Sequence, residues 1–316
     1  MAQSVTALSR IIGCDVGKQE IVIYDVTRNR LTRLPNQADA LEGFAASLDP
    51  DCFVVCEATG GHELGLLSAL LCAGVAAHRA DARKVKAFIR SFGTLGKTDA
   101  IDARALARYA QERGRDLPLW RARDEKRVNL QTFVLARRDL VADRLAYRNR
   151  RDAPNAGPLR AHYESLLREF EARIEALDAE IKTLIEACEP IAQTVKALVA
   201  IPGIGLKTAA ALVGLLPELG SASPKRIASL AGLAPHPNQS GAADRHRFVR
   251  GGRPEVKRTL FMAALTARKH NPRLKVFYER LVANGKKPIV VVTAVMRKLL
   301  TYANAVLRDH AALQVS

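Results

Sequence analysis

A chain of 316 residues has the length of about two domains, and a hydrophobic content of 48% excludes wholesale disorder. Its 49 Lys plus Arg against 32 Asp plus Glu leave a net charge of +17 and a pI near 10.0, which favours a polyanionic partner such as nucleic acid. There is no run of about 18 uncharged apolar residues, no signal-peptide pattern at the N-terminus and no CxxC pair among the five cysteines, so the expectation is a cytoplasmic protein with reduced thiols and no membrane contact.

Residues 11–113 alternate between strand and helix patterns. Ile11-Ile12-Gly13-Cys14-Asp15 is a short apolar run ending on an acid. Glu20–Val26 is β-branched and strand-like, with Arg30–Leu34 as its hairpin partner. A helix over Gln37–Ser47 leads to Cys52-Phe53-Val54-Val55-Cys56-Glu57, a second apolar run ending on an acid. A helix over Glu63–Ala73, a strand over Val75–Arg79 and helices from Asp81 and from Thr98 complete a mixed α/β sheet domain, residues 1–118.

Residues 119–195 change character. Arg121–Arg150 is a charged helix broken at Asp152–Pro158. The next helix carries Tyr163, Leu167, Phe170, Ile174, Leu177, Ile181, Leu184, Cys188 and Ile191 at alternating spacings of four and three, the seam of a coiled coil. The expectation is a helical hairpin that pairs with another subunit; an amphipathic helix folded on its own domain is the alternative.

Residues 196–316 read as mainly helical with basic loops. Ile201-Pro202-Gly203-Ile204-Gly205-Leu206-Lys207-Thr208-Ala209 fits a helix-hairpin-helix, whose glycines let a turn approach a phosphate, with an ordinary glycine turn between packed helices as the alternative. Lys225–Leu300 contains 17 Lys plus Arg and 3 acids, a net of +14, so nucleic-acid contact is expected there. Aromatic content of only 5% argues against base-stacking platforms and for phosphate contact to a duplex or structured RNA.

Four acids stand out. Asp15 and Glu57 each end an apolar strand, and Asp99 and Asp102 lie three apart at a helix start, on one side of it. Such a set suits two hard divalent cations with oxygen ligands, Mg²⁺ or Mn²⁺. Turn and capping roles are the alternatives. Asp25, Glu63 and Asp81 read as turn, helix-face and cap residues, and His62 as a loop residue.

These blocks resemble those of the DEDD transposases of the IS110 family, related to the Piv DNA invertases. The acidic blocks are Asp15-Val16-Gly17-Lys18, Glu57–Glu63 and Lys97–Arg104, followed by Ile201–Ala209, Leu230–Pro235, Gln239-Ser240-Gly241, Gly251-Gly252-Arg253 and Arg258–Ala264. The resemblance spans about Ile11 to Leu300, with a departure at His62, where the family often has an aromatic.

The resemblance implies a RuvC-like, RNase H-type N-terminal domain and a serine-bearing C-terminal domain, on either side of the coiled coil read from the spacing. It implies that Asp15, Glu57, Asp99 and Asp102 are metal ligands and that Ser240 is a nucleophile that becomes joined to DNA. It further implies donor and target DNA as substrates, a structured non-coding guide RNA, and a homo-oligomer, dimeric or tetrameric on DNA. Lys18, Lys207, Arg245, Arg247, Arg250, Arg253 and Arg258 are expected to hold phosphates. The rival expectations are a RuvC-type junction endonuclease using water, a Piv-type invertase and a non-catalytic nucleic-acid scaffold.

Overall fold

The computed structural model describes residues 10–93, 98–122, 124–236, 239–240, 243–244 and 248–315, and divides into two compact units, Met1–Ala122 and Arg123–Ser316.

In the first unit, short runs that are mostly apolar or β-branched produce five strands: β1 (Arg10–Val16), β2 (Glu20–Asp25), β3 (Arg30–Pro35), β4 (Cys52–Glu57) and β5 (Ala76–Ala80). They form one sheet in the order β3-β2-β1-β4-β5. The β1–β2 and β2–β3 pairs are antiparallel, and the β1–β4 and β4–β5 pairs are parallel. Helices α1 (Ala38–Ala46), α2 (Leu64–Cys72), α3 (Ala82–Arg90) and α4 (Asp99–Arg113) lie between and after the strands.

Opposite faces of the sheet carry separate cores. Ile12, Cys14, Val54 and Cys56 pack with Leu41 of α1 and Leu66, Leu67 and Leu70 of α2. Phe53 and Val55, one residue out of phase, pack with Val85 of α3 and Leu106 and Tyr109 of α4. The period of two thus assigns each side chain to a layer. Each fully buried Leu or Phe contributes about 2 kcal/mol of transfer free energy. The mixed sheet is compatible with the RNase H-like expectation.

The second unit opens with α5 (Glu125–Arg151) and α6 (Arg160–Glu186), which fold back on one another as a hairpin. Arg137 pairs with Asp178, Arg144 with Glu171, and the Tyr147 ring meets Tyr163 and Phe170. These pairings run in opposite senses along the two helices, so the hairpin is antiparallel. Leu167, Ile174 and Ile181 of the seam are buried and the alternate set is half-buried. One expectation is corrected: the seam does not continue to Ile191 in one helix. The helix ends at Glu186, Cys188 is the N-cap of α7 (Glu189–Val199), and Ile191 joins the C-terminal core. Pro190 sets the new start, because proline is tolerated in a first turn and breaks a helix interior.

Beyond lie α8 (Leu206–Leu215), α9 (Pro224–Leu230), the short strands β6 (Pro235–His236), β7 (Gln239–Ser240), β8 (Ala243–Asp244) and β9 (Phe248–Val249), then α10 (Pro254–His270), α11 (Pro272–Ala283) and α12 (Pro288–Val315). One core joins Leu130 and Ile181 of the hairpin to Leu198, Leu212, Leu260 and Leu299. By length and composition Pro288–His310 of α12 is apolar enough to cross a membrane, but Val292, Val295, Met296, Leu299 and Leu300 are buried in this core.

The turn between α7 and α8 is closely packed. Gly203 has φ +104, and a Cβ there would collide with Ala267 of α10. Helix packing therefore already requires this glycine, whereas Gly205 faces open space.

Candidate metal centre and serine ribbon

The carboxylates are assembled by local rules. Asp15 lies near the end of β1, and Glu57 closes β4. In the parallel pairing Cys14 is opposite Cys56, so the next residues, Asp15 and Glu57, are neighbours on the opposite face from those buried thiols. That face is the one covered by α3 and α4.

Helix α4 can approach because β1 offers no side chain at Gly13. A Cβ at Gly13 would collide with the Ala103 carbonyl and with the Ala107 backbone of α4. Thr98 caps the helix, its Oγ1 accepting from Ile101 N at 3.2 Å. Asp99 and Asp102 therefore occupy the first turn without serving as the cap, where the helix dipole favours negative charge.

All four acids line one cleft of about 850 Å³, together with Lys18 and Thr59 and with Lys86 and Arg90 of α3. Asp15, Glu57 and Asp102 are half-buried and Asp99 is exposed. The donor set is all carboxylate, which suits hard divalent cations and not zinc. A separate trio, Asp49, Asp51 and Cys52, brings donor atoms within 4.8 Å of one another, but it lies at the start of β4, at the opposite end of that strand from Glu57.

Glu63, read from sequence as a helix-face residue, is wholly buried. Its Oε2 accepts from Thr59 N at 3.0 Å, Thr59 Oγ1 at 3.1 Å and Gly61 N at 2.9 Å, and its Oε1 accepts from Arg79 Nε at 2.7 Å. Burial alone would raise this carboxyl, but the backbone amides and the Arg79 guanidinium outweigh it and hold the pKa at about 2. Glu63 thereby ties down the loop that leaves Glu57. The clue in the sequence was Thr-Gly-Gly before an acid, with an arginine on the next strand. Asp81 caps α3 through Arg83 N and Asp25 accepts from Arg28 N in a turn, both as expected, while Asp25 also takes Arg10. His62 is an exposed turn residue.

Ser240 belongs to the second unit, in β7, which pairs with β8 in the register Ser240↔Ala243. The base of this ribbon is closed by β6–β9 pairing and by mutual contact of Gly232 with Gly251 and Gly252, where any Cβ at Gly252 would strike Gly232.

The expected phosphate-binding cations divide into groups. Lys18, Arg250 and Arg258 are exposed. Lys207 is instead engaged by Asp178 at 2.8 Å, and Arg253 forms a two-pronged pair with Glu218, 2.6 Å on each arm, while donating to the Leu215 carbonyl at the end of α8. Arg245 and Arg247 lie outside the described residues.

A sheet with carboxylates at adjacent parallel strand ends, faced by a helix carrying two more, is an arrangement that could hold divalent cations against a phosphate. Comparison with known proteins narrows the reading. A family model described as a transposase, of the DEDD type of IS110, matches residues 12–153, and another described as the transposase IS116/IS110/IS902 family matches residues 195–279. The pilin gene-inverting protein of Moraxella lacunata is 31% identical over 230 residues, covering 72% of this chain and 70% of the relative. The insertion element IS110 uncharacterized 43.6 kDa protein of Streptomyces coelicolor is 33% identical over 137 residues, 42% of this chain and 33% of the relative. The insertion element IS900 uncharacterized 42 kDa protein of Mycobacterium paratuberculosis is 27% identical, covering 98% of this chain and 97% of the relative. The chain belongs to the IS110 family of DEDD transposases, and is a DNA recombinase.

Proposed function

We propose that this chain cuts and rejoins DNA at the ends of an insertion element through a covalent Ser240 intermediate, assisted by divalent cations, Mg²⁺ or Mn²⁺, held by Asp15, Glu57, Asp99 and Asp102. The observation that supports this is the convergence of the four carboxylates, from two strands and one helix, on a single cleft. Cations bound there would polarise a phosphate oxygen and favour loss of a proton from an attacking hydroxyl.

The step balances without an external energy source. Ser240 Oγ loses its proton and bonds to phosphorus, while the bond from phosphorus to a deoxyribose oxygen breaks and that oxygen takes up a proton. Attack by another strand's hydroxyl on the phosphoserine reverses the exchange, so strands reseal without ATP. The cleft lies in the first unit and Ser240 in the second, so the reading requires them to meet on DNA, within a chain or between protomers. Assembly as a dimer and then a tetramer on DNA supplies that meeting. A structured non-coding RNA, held by the basic C-terminal segment, directs the choice of donor and target, and the work takes place in the cytoplasm.

A denaturing gel tests this with metal, labelled element-end and target DNA, and RNA transcribed from the flanking sequence. Wild type yields a protein–DNA adduct; Ser240→Ala and Asp99→Asn each abolish it by at least about a hundredfold. Cleavage without an adduct, unchanged in Ser240→Ala, would establish the water-using endonuclease instead. Inversion of a segment is a second reading, favoured by the 31% identity to a pilin gene-inverting protein; substrates with ends in inverted and in direct orientation separate the two.

A further inference from the structure

The acidic cleft is also bordered by cations that form no ion pair among the described residues. Helix α3 carries Arg83, Lys84, Lys86 and Arg90 and no acid, in a unit whose remaining residues hold more acids than cations. Of these, Lys86 and Arg90 line the cleft beside Asp15, Glu57, Asp99 and Asp102. They are four apart, so they share one side of the helix, with Cβ atoms about 6 Å apart. Arg83 instead turns back to Asp81, with its own amide donating to the cap.

Neither Lys86 nor Arg90 forms an ion pair among the described residues, although both border a cleft lined by carboxylates. Arg79, Lys207 and Arg253, by contrast, are each committed to an internal acid. The helix bearing the two cations is firmly seated. Val85 is buried against the sheet, and the Phe88 ring meets Tyr109 of α4 edge-on at 5.3 Å.

Charge balance says what such cations are for. The fifth carboxylate of the lining, Glu20, is paired with Arg33, and two divalent cations would only neutralise the other four, leaving the charges of an incoming phosphodiester chain without compensation. Three protein cations at the same cleft, Lys18 on the β1–β2 turn with Lys86 and Arg90 on α3, supply it.

We infer that α3 is a phosphate clamp, Lys86 and Arg90 holding the backbone of the DNA strand that is cut over the four carboxylates. This rests on the proposed metal-assisted reading of the cleft, and assigns the cations that seat the substrate there. The clamp grips phosphate and so carries no base preference.

The test uses the full-length protein with Lys86→Gln and Arg90→Gln combined. A matched control combines Arg83→Gln and Lys84→Gln, which removes equal charge from the same helix outside the cleft. Two readouts move in opposite directions. Binding to a short labelled duplex weakens, and the slope of log Kd against log salt falls by about 2, one for each phosphate no longer neutralised. Mn²⁺ binding without DNA, followed by electron paramagnetic resonance, tightens several-fold because two like charges leave the cleft.

The control pair changes neither readout appreciably, and restoring charge with Lys86→Arg and Arg90→Lys recovers both. Equal effects from the two pairs would mean general attraction and would overturn the clamp, as would an unchanged salt slope in the cleft pair. A cleft pair that fails to fold shows in its thermal melt, and the charge-retaining variants, which keep the clamp, then carry the test against Lys86→Gln alone. Asp99→Asn keeps the two claims apart. If it leaves the adduct intact, the metal reading fails whatever α3 does; if it abolishes the adduct while the cleft pair behaves as wild type, only the clamp fails.

Discussion

Glu63 shows how one side chain holds a site it does not enter. Its carboxylate accepts three hydrogen bonds from Thr59 and Gly61 and the guanidinium of Arg79, with no solvent exposure. Its folded pKa is about 2 against an ordinary 4.5, so the stabilisation it provides is complete above 4.5 and is lost as the pH falls towards 2. The difference corresponds to roughly 3 kcal/mol at neutral pH. Glu63→Gln should therefore lower stability by about that amount at pH 7, measured by urea unfolding, and the gap from wild type should shrink steadily as the pH is lowered below 4.5. A gap independent of pH would remove the charge from the explanation. The sequence marked this acid as ordinary, because its importance comes from burial and from Arg79, sixteen residues away on the neighbouring strand.

At the scale of elements, the decisive fact is how closely α4 lies on β1. Small residues line the contact: Gly13 on the strand and Ala103, Ala107 and Ala110 on the helix. That closeness brings the first turn of α4, with Asp99 and Asp102, to the ends of β1 and β4. Gly13→Val should force the helix away, with a stability loss of about 3 kcal/mol for overpacking against backbone atoms, and should abolish Mn²⁺ binding even where the protein still folds. Isothermal titration with the metal and a thermal melt read these separately; unaltered metal binding would show that the acids do not depend on the helix position. The heptads of α6 point to a buried seam, since periodicity is a local property, but it is α5 of the same chain that covers it, a choice periodicity does not make. Where the seam ends was not foreseeable either, because Cys188 and Ile191 continue the spacing while Pro190 starts a new helix. At Gly203 the residue was singled out correctly, but what the glycine accommodates is the Ala267 side chain of α10, a neighbour more than sixty residues along the chain.

At the scale of the whole molecule, charge and chemistry are divided between segments. Lys225–Leu300 carries 17 Lys plus Arg against 3 acids, and the carboxylate cleft belongs to the first unit. Binding to nucleic acid should accordingly be steep in salt, weakening at least about tenfold between 50 and 200 mM, as measured by fluorescence anisotropy. A flat dependence would contradict the polyelectrolyte account. Not every basic residue contributes equally: Arg253 is held two-pronged by Glu218, whereas Lys207 shares Asp178 with Arg137 and stays largely exposed.

Residue type and period alone determined the strand–helix order of the first unit, the four acids, the hairpin heptads and the basic C-terminal segment. All are written within a few neighbouring positions, where side-chain alternation and intrinsic chemistry act. Only the tertiary structure decided that Asp15 and Glu57 are neighbours, that Glu63 and Arg79 form a buried pair, that Lys86 and Arg90 border the acids, and that Lys207 and Arg253 are occupied. Those facts depend on distances between segments far apart in the chain, and both electrostatic interaction and steric exclusion are set by distance in space.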